Sequence, residues 1–168
     1  MHDVEIAQIE RFLLEDKMLS GNAPPWQENG YRNMWQFRWG VLDSIGVEYA
    51  ELCFTTNRRQ DEFTISLIVR KKMVHRIDVI PTGAPKPNPP DADKFGLPAI
   101  VYGSHTHPWN ENKEYCRING FGELPYRKPT PDKLYTLRQA LAHIVDEINV
   151  TVPTMQRDVV LPDQGGLF

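Results

Sequence analysis

Between residues 35 and 80 four strand-like runs are separated by short polar turns, and the first and third alternate apolar and polar residues with a period of two. Side chains two apart on a strand share a face, so this pattern describes half-buried strands and excludes helices there. Trp35-Gln36-Phe37-Arg38-Trp39 is the first run, and Val47–Thr56 is the second. Asn57-Arg58-Arg59-Gln60-Asp61 turns the chain into Phe63, Ile65, Leu67 and Val69. Arg70-Lys71-Lys72 turns it again into Val74–Ile80. Connections this short join antiparallel neighbours, so the four runs predict a meander.

Helical signals flank the meander. Residues 3–19 place Ile6, Ile9, Phe12 and Leu13 on one stripe, with Gly21 and Pro24-Pro25 as the stop. Thr130 reads as an N-cap with Pro131 at the first helical position and Asp132 in the first turn. Leu134, Leu137, Leu141, Ile144, Val145 and Ile148 form the buried face of that second helix, and Pro153 ends the short segment after it. Residues 81–98 hold six prolines and read as a long extended loop without regular strand pairing throughout. Ala99–Ser104 reads as a fifth short strand, and residues 109–130 as irregular. The expected fold is therefore α+β: an N-terminal helix, an antiparallel meander of four to five strands and a C-terminal helix packed on the sheet. All 168 residues fit one domain, with residues 154–168 as a C-terminal tail.

Composition narrows the function classes. Two cysteines, Cys53 and Cys116, exclude a disulfide framework and a four-cysteine zinc site. The first residues lack a basic and then apolar leader, and no apolar run approaches the roughly 20 residues that span a bilayer. A cytoplasmic protein with no membrane partner is the expectation. The net charge is −3, which argues against a general nucleic-acid coat but not against a local basic groove. Residues 1–30 carry six acids against two bases, while residues 57–76 carry six bases against two acids. Such asymmetry suits a phosphate-facing patch, and equally a solvated polar surface.

Four residues carry the most chemistry. His105 and His107 are two apart at a strand end, so both imidazoles face one place. Two such rings can divide acid and base roles near neutral pH or ligate one metal; they can also be two surface histidines. Arg76 and Asp78 share a face of the fourth strand, and His75 and Ile77 point the other way. If that strand neighbours the fifth, all four residues share one face. Arg76 would then hold a phosphate and Asp78 would fix a histidine tautomer; the plain alternative is a surface ion pair. Lys71, Lys72 and Lys86 are candidate phosphate contacts. Trp109, beside the histidines, either stacks on a base or packs, and packing is the expectation. Cys116 stands in the next loop, near Lys113 and Arg117, as an alternative nucleophile.

Arg76-Ile77-Asp78-Val79, then Asn88-Pro89, then Ser104-His105-Thr106-His107 resembles the Arg-x-Asp and His-x-His pattern of the TumE family of toxins. The resemblance covers residues 63–110. It implies a toxin acting on nucleic acid, an antitoxin partner, and Arg76, Asp78, His105 and His107 as site residues. His107-Pro108-Trp109-Asn110 followed by Cys116 is similar to the His-Pro-Asn and cysteine of ubiquitin-conjugating enzymes. That likeness implies conjugation through Cys116. His105-Thr106-His107-Pro108 also looks like the His-x-His-Pro of JAMM metallo-isopeptidases, but no Asp stands at the expected spacing near Ile118.

The leading expectation is a ribonuclease without cofactor or metal. One histidine would serve as base and the other as acid, with Arg76, Lys71 or Lys72 stabilising the phosphate. A metal would move His105 and His107 to a ligand role. A conjugating enzyme and a non-catalytic binding module are the other classes.

Overall fold

The computed structural model describes residues 2–130, 134–152, Val159 and Pro162. The elements run α1 (Asp3–Leu14), β1 (Lys17–Leu19), β2 (Gln27–Asn29), β3 (Met34–Leu42), β4 (Glu48–Asn57), β5 (Phe63–Val69) and β6 (Lys72–Val79). Then come β7 (Pro85–Pro87), a 3-10 turn (Ala92–Phe95), β8 (Ile100–Tyr102), β9 (His105–His107), α2 (Trp109–Asn119), β10 (Lys128–Pro129), α3 (Leu137–Glu147) and β11 (Val150–Thr151). The fold is α+β, with three helices among the described residues and a mostly antiparallel sheet.

The meander β3-β4-β5-β6 forms where the alternation places it, and all of its pairs are antiparallel. Phe37 faces Phe54, Trp39 faces Leu52, Leu52 faces Leu67 and Ile65 faces Ile77. These side chains line one face of the sheet and are buried there. Ile9 and Phe12 of α1, Trp109 and Cys116 of α2, and Leu141 and Ile144 of α3 complete the same core. Burial of each large apolar side chain stabilises the fold by about 1.5–3 kcal/mol. The alternate positions, among them Thr64, Ser66, Arg76 and Asp78, are left to the opposite face. The β5–β6 hairpin closes through Arg70 and Lys71, both at positive φ (47° and 69°). That conformation matches the twist of the flanking strands and sets the first two pairs, Val69 with Lys72 and Ile68 with Met73; a bulge between Leu67 and Ile68 then shifts the register by one residue.

The sheet extends further than the expected four to five strands. Among the described residues it has nine strands, eight in the order β10-β9-β6-β5-β4-β3-β1-β11 and β2 beside β3, and β7 pairs β8 apart from it. The added strands are two or three residues long. Pieces so short carry no readable periodicity and exist because a neighbour pairs with them. The proline-rich segment is one case: Pro85–Pro87 folds back onto Ile100–Tyr102. The predicted strand at 99–104 accordingly divides. Gly103, at φ 77°, separates β8 from β9.

Three helix expectations are corrected. The first helix ends at Leu14, not residue 19. Glu15 is extended, and the buried Lys17 ammonium donates to the carbonyls of Phe12, Leu13 and Glu15 at 2.8, 3.0 and 2.6 Å, closing the helix. The C-terminal helix starts at Leu137, after a capping box between Thr136 and Gln139. Thr130 instead donates through Oγ1 to Ser104 O at 3.3 Å; Pro131 and Asp132 lie outside the described residues. Its apolar face, from Leu134 to Ile148, is buried as expected. Residues 109–119 form α2 where irregular structure was expected. Pro153 and most of the 154–168 tail lie outside the described residues, although Val159 is buried in the core. Among the described residues no helix is long and apolar enough to cross a membrane.

Candidate functional site

β6 and β9 are antiparallel neighbours, with Arg76 opposite His107 and Asp78 opposite His105. Period-two geometry therefore puts all four side chains on the same face, the one without the apolar core. Asp78 is the hub. Its Oδ1 accepts from Thr64 Oγ1 at 2.7 Å and from Arg76 Nε at 2.8 Å. Its Oδ2 lies 3.1 Å from His107 Nε2 and 3.3 Å from His105 Nε2. The other ring nitrogens meet the backbone. His105 Nδ1 donates to Gly103 O at 2.8 Å, and His107 Nδ1 to Leu124 O at 2.5 Å.

Asp78, His105 and His107 are 6%, 1% and 4% exposed. Burial pushes the Asp78 carboxyl up, but the His105 and His107 rings against Oδ2 and the Arg76 charge outweigh that and hold it well below the usual carboxylate range. Burial also holds His107 below its ordinary value, despite the neighbouring carboxylate. At neutral pH the cluster thus contains an ionised carboxylate and a neutral His107.

The cluster lies in a cavity of about 340 Å³. Arg32, Arg76, Lys86 and Arg127 contribute cationic side chains to its walls, and Asn33, Asn57 and Thr64 add polar ones. Lys86 comes from the proline-rich segment, which is anchored beside the site by Asn88. The Asn88 amide donates to Pro98 O and Arg127 O, both at 2.8 Å, and its carbonyl accepts from Arg127 N at 2.6 Å. Arg127 Nη1 also donates to Pro87 O at 2.6 Å.

Arg76, Asp78, His105, His107 and Lys86 are brought together. Lys71 and Lys72 do not line this cavity. They sit at the opposite end of β6, where Lys72 Nζ pairs with Glu5 at 3.0 Å. Trp109 is 4% exposed and lies parallel to Phe121, with ring centroids 6.4 Å apart; it packs. Cys116 is fully buried on α2, outside the cavity, and burial pushes its thiol up to about 11. Thr64, Arg32 and Arg127 were not legible as site residues. No sequence signal pointed to Thr64: the register started by the two-residue β5–β6 turn shifts by one residue at a bulge between Leu67 and Ile68, and only that shift sets Thr64 opposite Asp78. Comparison with known families, curated proteins and solved structures finds no match.

Proposed function

We propose that this cavity binds RNA and cleaves its phosphodiester by attack of a ribose 2′-hydroxyl on the adjacent phosphate, as a cytoplasmic toxin-like ribonuclease does. The observation that carries this reading is a buried carboxylate–histidine cluster on the floor of a cavity whose walls hold four cationic side chains. The cations suit a phosphate and the charge that develops on it in the transition state. Among the described residues, the cluster is the only group lining the cavity that pairs histidine with carboxylate. In a metal-free version His105 and His107 act as base and acid. Both must then work through Nε2, because the carbonyls of Gly103 and Leu124 occupy Nδ1. An antitoxin that covers the cavity is the partner this reading implies.

Incubating the purified protein with total RNA tests the proposal. Wild type should degrade it, and His107→Gln should slow degradation by about 100-fold or more. Folded wild-type protein that binds RNA without cutting it would make this a binding module instead.

A further inference from the structure

The proton positions in the cluster are set by its partners. A backbone carbonyl only accepts, so Nδ1 of both rings carries the proton that points at Gly103 O and Leu124 O. In the neutral rings Nε2 is then a lone pair. Both lone pairs face Asp78 Oδ2, itself an acceptor, at 3.1 and 3.3 Å. The second Asp78 oxygen is held by the Thr64 hydroxyl and the Arg76 guanidinium. Three acceptor atoms therefore converge within 4.8 Å of one another, on side chains more than nine-tenths buried. One divalent cation relieves the convergence while leaving both tautomers in place.

We propose that Asp78, His105 and His107 are the protein ligands of a divalent first-row transition-metal ion. Both carboxylate–imidazole spacings, 3.1 and 3.3 Å, fit such an ion: ligands about 2.0–2.1 Å from a tetrahedral centre stand roughly 3.3 Å apart. Two imidazoles and one carboxylate favour zinc, manganese, iron or cobalt over magnesium and calcium, which take all-oxygen sites. The surroundings are those of a metal site. Each imidazole donates its remote N–H to a carbonyl, and the carboxylate is tied by Thr64 and Arg76. Three protein ligands leave coordination positions open towards the cavity.

The role of the ion rests on the proposed ribonuclease function. A metal-bound hydroxide takes the 2′-hydroxyl proton and becomes water. The 2′-oxygen bonds to phosphorus as the bond from phosphorus to the 5′-oxygen breaks. The 5′-oxygen takes a proton from that water, which restores the hydroxide and leaves a 2′,3′-cyclic phosphate.

Metal uptake is read separately from cleavage. The full chain, stripped with EDTA and desalted, is titrated by calorimetry with zinc, manganese, cobalt or magnesium. One transition-metal ion should bind per chain, and magnesium should not compete. Asp78→Asn should abolish uptake. Thr64→Val, which leaves every ligand in place, should weaken it roughly 10–100-fold with an unchanged circular-dichroism spectrum. Folded wild-type protein that takes up none of the transition metals overturns the inference, whatever the variants do. Uptake without RNA cleavage supports the metal site and removes the ribonuclease. Uptake together with cleavage undiminished in stripped protein keeps the site and the ribonuclease and overturns the catalytic role of the ion.

Discussion

Asp78 can act as a hub only because the residues around it leave its two oxygens with different tasks. Thr64 and Arg76 tie Oδ1, so the carboxylate cannot rotate, and Oδ2 is presented to both rings. The rings in turn are held from behind by carbonyls. Gly103 supplies one of these, and its own backbone is the constraint. It stands at φ 77°, and a Cβ there would meet Gly83 Cα at 3.2 Å and Ile80 O at 3.3 Å. Gly103→Ala is therefore expected to destabilise the fold by about 1–2 kcal/mol from the left-handed backbone alone. It should also disturb the His105 support. Urea denaturation measures the first effect. The second would appear as weaker metal uptake at a temperature where the variant is still folded.

At the scale of elements, the C-terminus of α1 depends on one side chain. Lys17 is 1% exposed and satisfies three carbonyls. Burial lowers its pKa from 10.5 to about 8. Between those values the unfolded chain holds a proton that the folded chain has released, so stability should rise with pH across that window. Below pH 8 the buried charge carries its full cost. Lys17→Met should flatten the rise between pH 8 and 9.5. It should also lower stability by about 1–3 kcal/mol by leaving buried carbonyls without a donor. Parallel chemical denaturation of both proteins across that range would show it. An equal slope in the two proteins would mean that Lys17 does not titrate there.

The elements also differ in how far their sequences disclose them. β3 and β4 bury one face, so burial alternates along them residue by residue; β6 is buried on both faces and was legible instead from its apolar residues and the polar turn before it. α2 is hidden because its inward side is not apolar throughout. Between Trp109 and Cys116 it presents Asn112, fully buried and bonded to Pro108 O, Tyr126 O and Tyr126 N. The punctuation was present all the same, in Pro108 before the helix and Gly120 after it. Lys17 hid the end of α1 because a lysine reads as an exposed helical residue, and nothing local shows that it folds back onto carbonyls. In the site, period two paired Arg76 with Asp78 and His105 with His107; that the two pairs meet depends on β6 and β9 being neighbours, which no local pattern discloses. Arg32 and Arg127 were not legible, since their approach depends on loops.

Across the whole molecule, the uneven charge resolves into two separate uses. Part of the basic cluster is spent internally: Lys72 pairs with Glu5, and elsewhere Lys113 pairs with Glu10. The cavity draws its cations from segments far apart in sequence: Arg32, Arg76, Lys86 and Arg127. On the proposed function Lys86 contacts a phosphate. Lys86→Ala should weaken RNA binding and lower the slope of log affinity against log salt by about 0.7. Lys72→Ala should change neither. Fluorescence anisotropy with a labelled RNA across a salt series separates them, and identical behaviour of the two variants would contradict this placement of the substrate. Deleting residues 84–94 removes Asn88 and its anchoring bonds as well as Lys86, so it should lower both stability and activity.

The central claim is that the Asp78–His105–His107 cavity cleaves RNA through the 2′-hydroxyl. A DNA oligonucleotide carrying a single ribonucleotide tests it most directly. Wild-type protein supplied with zinc or manganese should cut once, immediately 3′ of the ribonucleotide, and leave a 2′,3′-cyclic phosphate. His107→Gln should leave the strand intact. A strand that survives wild-type protein, or an all-DNA strand cut equally well, would contradict the account.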